Sequence, residues 1–128
     1  MRLAIIAAAL LLGSTQTQAQ TQTQAQAKTR NNQPLHRIAR IVVDSTQLDA
    51  YRTALKTNME ASLRLEPTGV LKLEALYEKD NPTHITVIEI YASREAYESH
   101  LQTPHFKKYK DTVKDMVRSL ELTDVIPL

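Results

Sequence analysis

The sequence has no cysteine, no tryptophan and only two glycines among its 128 residues. Without cysteine the chain has no disulfide framework, no thiolate nucleophile, no cysteine-ligated zinc and no cysteine for a lipid to modify. Gly13 and Gly69 are too few to build the glycine-rich loops that hold phosphates in G-x-G-x-x-G or G-x-x-x-x-G-K motifs. These absences exclude thiol chemistry and the nucleotide-binding classes that depend on such loops.

The formal net charge of +2 arises near the N-terminus, where Arg2, Lys28 and Arg30 precede the rest of the charged residues. From Leu35 onward the chain has 13 basic and 14 acidic residues. A nucleic-acid-binding domain needs a dense basic surface. The near-neutral balance therefore predicts no nucleic-acid partner, and the length fits one folded domain.

The first 19 residues have the pattern of a secretory signal. Arg2 is followed by an uncharged apolar run over residues 3–12, and Thr17 and Ala19 occupy the −3 and −1 positions of a cleavage site. The run is too short to span a bilayer comfortably. The pattern predicts a cleaved signal, export to a bacterial periplasm and no membrane attachment afterwards.

Residues 20–34 are a low-complexity run of Gln, Thr, Ala and Asn. The run has no apolar periodicity, so it cannot bury enough surface to offset the entropy of ordering. We interpret it as a flexible tether that precedes a folded domain over residues 35–128.

Strand and helix patterns alternate through the folded domain. A strand over residues 35–43 precedes a helix that Asp44, Ser45 or Thr46 caps and that the run Glu66-Pro67-Thr68-Gly69 ends. A hairpin over 70–92 follows, with its turn at 80–83. A broken helix comes next: Ser93 caps residues 94–101, and Thr103-Pro104 restarts a helix whose apolar stripe extends to Leu120. A last strand covers residues 120–126.

This element order, β-α-β-β-α-β, predicts an α+β ferredoxin-like fold with an antiparallel sheet. Side-chain alternation puts Ala39, Ile41 and Val43 on one face of the first strand, and His36, Ile38, Arg40 and Val42 on the other. The strand that begins at His84 is apolar on both faces. One layer of helices covers only one face, so we expect a second copy of the chain to cover the other.

Two polar residues stand out as candidates for chemistry. Glu89 lies within a strand that we expect to be buried, where a carboxylate must pair with a base such as Arg40 or lose its charge. His100 ends the first half of the broken helix, where a pocket can open above the sheet. His105 is five residues away, a spacing that does not place both histidines on one helical face, so we predict no metal site.

Three segments resemble the antibiotic biosynthesis monooxygenase family. Residues 65–71 (LEPTGVL) are similar to its E-P-G-(C/V)-L motif, and residues 88–91 (IEIY) to its E-x-W/Y strand. The run SREAYESHLQTPHF over 93–106 resembles the signature s-x-e-A-(f/y)-x-x-H-x-x-(t/s)-p-H-F. Thr68 lengthens the usual Glu-Pro-Gly turn by one residue. The resemblance extends over nearly all of residues 35–127.

The resemblance implies a dimeric α+β barrel with a pocket between sheet and helices in each subunit. Members include oxygenases of quinols and polyphenols that use no metal, flavin or haem, and enzymes that act on small signalling molecules. On the family pattern His100 matches the pocket histidine and Glu89 the strand glutamate, while Tyr91 stands where many members have tryptophan. The lack of tryptophan weighs against the haem-degrading branch, which relies on an Asn, Trp and His trio.

These observations lead to a functional hypothesis: a cofactor-free monooxygenase that acts with O2 on a small quinol-like or polyphenol-like aromatic. His100 would be the base or the hydrogen-bond partner of the substrate oxygen, and Glu89 would orient or polarise the site. The ring would lie against aromatic side chains, with an arginine within reach. Two alternatives remain at this stage, a non-enzymatic ligand-binding dimer and an isomerase or degradative enzyme for a small metabolite. The predicted substrate-binding residues are Tyr91, Phe106, Tyr77 and Arg40.

Export generates a first testable prediction. When the full chain is expressed in a bacterium, we expect the mature protein in the periplasmic fraction, beginning at Gln20 after cleavage behind Ala19. N-terminal sequencing checks this, and cleavage behind Ala25 or Ala27 is the alternative that the same small-x-small pattern allows. A chain that begins at Gln20 is the control and stays in the cytoplasm. Recovery of the intact N-terminus in the cytoplasm would contradict the prediction.

Overall fold

A computed structural model describes residues 18–28 and 32–128 of the chain. Most of the predicted signal, residues 1–17, lies outside the described residues. Residues 18–28 form a helix in which every residue is exposed, although the sequence pattern predicted no regular structure there. The folded unit spans Gln33–Leu128. Among the described residues, no helix is both long enough and apolar enough to cross a membrane.

The folded unit has four strands and three α-helices in the predicted order. The sheet order is β2-β3-β1-β4, and all neighbouring strands are antiparallel. This is the ferredoxin-like α+β fold that the sequence predicted. The elements are β1 (Leu35–Val43), a 3₁₀ turn (Ser45–Gln47), α1 (Leu48–Leu65), β2 (Val70–Glu78), β3 (Asn81–Tyr91), α2 (Arg94–Leu101), α3 (Pro104–Val113) and β4 (Val117–Val125).

Side-chain caps set the ends of the helices. The Asp44 carboxylate accepts a hydrogen bond of 2.9 Å from the backbone N–H of Thr46, which starts the 3₁₀ turn that leads into α1. At the other end of α1 the N–H of Glu66 donates to the Ser62 carbonyl at 2.9 Å. Glu66 therefore stands just past the last helical turn, with its side chain free to reach other elements.

The predicted break between α2 and α3 is confirmed. Ser93 caps α2 by accepting from the N–H of Ala96 at 3.0 Å, and Thr103 caps α3 by accepting from the N–H of Phe106 at 3.3 Å. The Thr103 hydroxyl also donates to the His100 carbonyl at 2.7 Å. Thr103 thus ties the end of one helix to the start of the next and fixes the backbone immediately after His100.

The predicted end of the third helix is wrong, because α3 ends at Val113 and β4 begins at Val117. The pairing with β1 shifts register here: Val43 opposes Val117 and Val42 opposes Ser119, which leaves one extra residue between them. Such a bulge puts two residues three apart on the same face of a strand. The spacing from Val117 to Leu120 therefore imitates helical periodicity.

The two faces of the sheet differ in their covering. The helix-covered face carries the core, and the other face is open in the single chain. On the open face Ile38, Val42, Ile88 and Ile90 are half-buried, with Ile38 directly opposite Ile88. β3 is therefore apolar on both faces, as predicted. The buried core consists of Ala39, Ile41, Val43, Tyr51, Leu55, Ile85, Val87 and Val113.

Candidate active site

A cavity of about 570 Å³ lies between the helix-covered face of the sheet and the three helices. Its walls are mainly apolar and aromatic, with a few polar groups that converge on the interior, which is the composition typical of small-molecule sites. Lys110, Lys114, Leu120 and Leu122 border the cavity and are exposed, so they mark its outer rim. Its inner walls include Ala39, Tyr51, Asn58, Leu73, Val87, Glu89, Tyr91, Tyr97, His100, Phe106 and Tyr109.

His100 lies at the centre of the aromatic wall and is only 2% exposed. Its ring centroid lies 4.8 Å from that of Phe106 and 5.4 Å from that of Tyr91. Its Nδ1 lies 2.9 Å from a carboxylate oxygen of Glu66. An ionised carboxylate only accepts hydrogen bonds, so Nδ1 carries a proton, and in the neutral ring Nε2 keeps its lone pair.

The same Glu66 oxygen also binds a second histidine. His105 Nε2 lies 2.6 Å from Oε2, so one carboxylate oxygen accepts hydrogen bonds from both imidazoles. The three side chains come from the end of α1, the end of α2 and the start of α3. The spacing of five residues did not place His100 and His105 on one helical face, and the two residues do lie on different helices. The break at Thr103 nevertheless turns both rings towards Glu66.

The donor set of this bridge, two imidazoles and one carboxylate, is one that divalent transition metals also bind. The separations of 2.6 and 2.9 Å are hydrogen-bond lengths, and the two lone pairs of a single carboxylate oxygen accommodate both donors. Hydrogen bonding therefore accounts for the whole arrangement. The absence of a metal site remains a prediction.

Glu89 is half-buried on β3 and lines the cavity. Burial raises the pKa of its carboxyl group from the ordinary value near 4.5 to about 7, although the positive charge of Arg37 acts in the opposite direction. Arg37 faces Glu89 directly across the β1–β3 pair and Asp124 across the β1–β4 pair. Its Nε donates to Asp124 at 2.8 Å, and its guanidinium lies 4.2 Å from the centroid of the Tyr97 ring.

The predicted partner of Glu89 is corrected by this geometry. Arg40 is exposed on the open face and lies 3.5 Å from the Thr123 hydroxyl, so it does not line the cavity. Alternation along β1 places Arg37, not Arg40, on the same face as Ala39. The side chains at the odd-numbered positions of β1 face the cavity. Side-chain alternation along the strand already indicated this in the sequence.

The aromatic residues divide into two groups. Tyr91 and Phe106 line the cavity as predicted, whereas Tyr77 is half exposed in a separate groove between α1 and β2, where the Arg52 guanidinium lies 4.7 Å from its ring centroid.

Tyr51 and Tyr109 were not predicted as site residues. Their hydroxyl oxygens are 2.8 Å apart, and burial raises the pKa of both phenols and of Tyr91, so all three stay neutral at physiological pH.

Comparison with known proteins fixes the family. The family model for antibiotic biosynthesis monooxygenase matches residues 34–112, which span β1 through most of α3. The chain belongs to the antibiotic biosynthesis monooxygenase family. The matched segment contains Glu66, Glu89, His100 and His105. A comparison with curated proteins gives no match.

Several solved structures share this fold. A candidate antibiotic biosynthesis monooxygenase from Bacteriodes thetaiotaomicron is 51% identical, with a TM-score of 0.73 over 75% of this chain and 90% of the other. A candidate monooxygenase from Lactobacillus acidophilus is 29% identical, with a TM-score of 0.72 over 74% of this chain and 45% of the other. A candidate antibiotic biosynthesis monooxygenase from Nitrosomonas europaea is 27% identical, with a TM-score of 0.68 over 73% and 98%.

The raised pKa of Glu89 predicts a specific pH dependence of stability. Between about pH 4.5 and 7 the folded family member binds a proton at Glu89 that the unfolded chain has lost, so this group's contribution to the free energy of unfolding falls as pH rises. In Glu89→Gln the contribution disappears. We expect the free energy of unfolding of Glu89→Gln, taken relative to that of the parent protein, to rise by about 1–3 kcal/mol from pH 5 to pH 8. Urea unfolding at each pH measures this difference.

The matched control for this experiment is Glu95→Gln, which removes an exposed carboxylate on the first turn of α2. Its unfolding free energy relative to the parent protein should not depend on pH in this way. An equal pH-dependent gain in the control, or no gain in Glu89→Gln, would refute the assignment of a raised pKa to Glu89.

Proposed function

We propose that this family member is a cofactor-independent monooxygenase that uses O2 to oxidise a small, electron-rich aromatic of the quinol or polyphenol class. One observation carries the proposal: a buried histidine, His100, lines the cavity with Nδ1 held by Glu66 and with aromatic rings on both sides. The flat apolar walls favour a ring, and the held tautomer leaves Nε2 as a base. Family membership supports the reaction class.

In this proposal His100 takes the proton from a substrate hydroxyl. A phenolate gives up an electron to O2 far more readily than a neutral phenol, so removing that proton starts the reaction. Histidine suits the step because its charge changes near neutral pH. As the imidazolium forms, its Nδ1–H still donates to the Glu66 carboxylate, so the ring keeps its orientation through the proton transfer. Glu66 is thus a positioning residue, and His105 makes a second hydrogen bond to the same Glu66 oxygen.

The remaining steps balance without a further reductant. One electron passes from the quinol anion to O2, the resulting radical and superoxide join through a new ring C–O bond, and the imidazolium returns its proton to the peroxide. The O–O bond then breaks as the ring carbon loses its hydrogen. Quinol and O2 are converted into a hydroxyquinone and water, with one oxygen atom in each product. The ring supplies all four electrons that O2 accepts.

The other cavity residues have supporting roles in this proposal. Tyr91 and Phe106 hold the ring of the substrate beside His100. Glu89, half-buried opposite Arg37, polarises the wall that the sheet forms, and burial raises its pKa to about 7. The arginine of the site is Arg37, which lines the cavity, and not Arg40, which the sequence predicted. Tyr77 lies outside the cavity and has no part in binding.

We also propose that two copies of the chain pair through their open sheet faces. The half-buried strip formed by Ile38, Val42, Ile88 and Ile90 runs across the two central strands. Arg40, Lys72 and Glu74 lie on the same face by alternation and give it a polar border of both signs. A patch of this composition is suited to an isologous two-fold interface, where each charge meets its counterpart.

The oxygenase proposal predicts O2 consumption with a simple probe, 1,4-dihydroxynaphthalene. We expect enzyme-dependent O2 uptake above autoxidation, one labelled oxygen atom in the product from ¹⁸O2, and a loss of about 10²-fold or more in kcat/KM for His100→Ala. The control variant is His84→Ala, a histidine near the hairpin turn, which should retain activity. Full activity in His100→Ala would remove this residue from the mechanism. Tight binding of the probe without O2 uptake would favour the ligand-binding alternative.

The pairing proposal predicts a dimer in solution. We expect sedimentation equilibrium to give twice the chain mass, and Ile88→Arg to give a folded monomer because it places a charge in the centre of the open face. Ile126→Arg is the matched control, since Ile126 is 90% exposed at the end of the chain, and it should remain dimeric. A monomeric parent protein would overturn the pairing.

A further inference from the structure

Arg37 is a buried cation in the cavity wall that uses only part of its hydrogen-bonding capacity. It is 8% exposed and lines the cavity. Its Nε donates to Asp124 at 2.8 Å, and among the described residues this is the one hydrogen bond and the one ion pair that its side chain makes. A guanidinium has five N–H donors, so the four on the two Nη atoms have no acceptor within that part of the chain.

These free donors reach the space of the cavity. Among the described residues, the Asn58 side-chain oxygen is the one side-chain polar atom that is both fully buried and without a hydrogen-bond partner. The Nη atoms of Arg37 also have no partner, so they are not fully buried. Because Arg37 lines the cavity, a ligand there can meet their N–H groups.

The positive charge at this point of the wall is only partly neutralised. Asp124 is shared, since one of its oxygens accepts from Arg37 and the other from Arg94 at 3.1 Å. Two guanidinium groups on one carboxylate leave one positive charge without a counterion. Burial acts to lower the pKa of Arg37, but the hydrogen bond to Asp124 and the electrostatic effect of Tyr97 outweigh it, so the guanidinium stays charged.

Two contacts hold the guanidinium in place before any ligand binds. Asp124 holds Nε, and the Tyr97 ring covers one face of the group, with its centroid 4.2 Å from the central carbon. The edge formed by the two Nη groups is what remains free. A planar fork of two N–H donors matches the two oxygens of a carboxylate, which makes this edge a preorganised carboxylate receptor.

Tyr97 also relates this edge to His100. Both residues lie on α2, three positions apart, which is about 4.5 Å along the helix. Both rings contact the Tyr91 ring, with centroids 5.1 Å and 5.4 Å from it. The guanidinium therefore packs on a ring that lies one helical turn from the His100 ring. A substituted aromatic that lies against Tyr91 is large enough to meet both groups.

We propose that the two Nη groups of Arg37 form a subsite for a carboxylate carried on the substrate ring, so that the site selects aromatic carboxylates over uncharged quinols. The carboxylate accepts from both Nη groups while a ring hydroxyl meets His100. The inference deepens the proposed function and rests on it only for the place of that hydroxyl. Selectivity arises because an uncharged ring leaves the buried donors of Arg37 unpaired.

The test is anaerobic binding of two probes that differ by one carboxylate, 1,4-dihydroxy-2-naphthoate and 1,4-dihydroxynaphthalene, measured by isothermal titration calorimetry. A pH of about 6 suits the experiment, because burial raises the pKa of Glu89 to about 7 and its charge then competes less with the probe. The parent protein should bind the carboxylate at least about 10-fold more tightly than the uncharged diol.

Arg37→Met removes the donors and keeps the length of the apolar stem. Its preference for the carboxylate should fall below about 3-fold, while its affinity for the uncharged diol changes by less than about 3-fold. Arg37→Lys keeps the test informative if Arg37→Met fails to fold, because its ammonium can still pair with Asp124. It should also lose most of the preference, since a single ammonium has no two-pronged edge.

Two further variants control for charge elsewhere. Arg52→Met removes an arginine that also packs on a tyrosine, in the groove outside the cavity, and should retain the full preference. Lys110→Met removes an exposed cation at the cavity rim and should retain it as well. Loss of the preference in Lys110→Met but not in Arg37→Met would move the carboxylate to the rim and overturn the subsite.

The remaining outcomes separate the subsite from the oxygenase. Equal affinity of the parent protein for both probes, or an equal loss for both probes in Arg37→Met, would overturn the subsite. A lower kcat in Arg37→Met with both affinities unchanged would assign Arg37 to the reduced oxygen and would also overturn it. Preference for the carboxylate without any O2 uptake would support the subsite and refute the oxygenase, so the two proposals fail separately.

Discussion

The hydrogen bond between Glu66 and His100 is the interaction on which the site depends. It joins the end of α1 to the end of α2 across 34 residues of sequence, and it settles which nitrogen of a buried imidazole is free. His105 shares the same carboxylate oxygen and so ties the start of α3 to the same point. Three helix termini therefore meet at one acceptor. Any rotation of one helix would break a charge-assisted hydrogen bond, which is stronger than a neutral one.

Most of the fold follows from local sequence signals, because each element carries a signal of its own. Ser93 and Thr103 cap the two halves of the broken helix at the positions that the sequence predicted. The pattern of apolar residues also predicted that both faces of β3 are apolar. The end of α3 was not predicted correctly, because the bulge before Ser119 gives the apolar residues of a strand the spacing that is typical of a helix. The bulge results from pairing with β1, and no local pattern in the sequence encodes that pairing.

The site was less predictable than the fold, because its residues meet only after folding. His100, Glu89, Tyr91 and Phe106 do line the cavity. Arg37 could have been found by strict alternation along β1. Glu66 and the Tyr51–Tyr109 pair carry no such sign: in the sequence Glu66 belongs to a helix stop, and the two tyrosines lie on the apolar stripes of two different helices. What distinguishes them is a partner supplied by a distant element.

The position of β4 in the sheet has a consequence for how the molecule is made. Although β4 is the last element of the chain, it pairs with the first strand, with Thr123 opposite Ile38, and its Leu120 and Leu122 complete the rim of the cavity. A nascent chain on the ribosome holds the helices and the hairpin before this strand emerges, and closing such a long loop is a slow step. The rim of the cavity is therefore complete only once β4 has paired with β1.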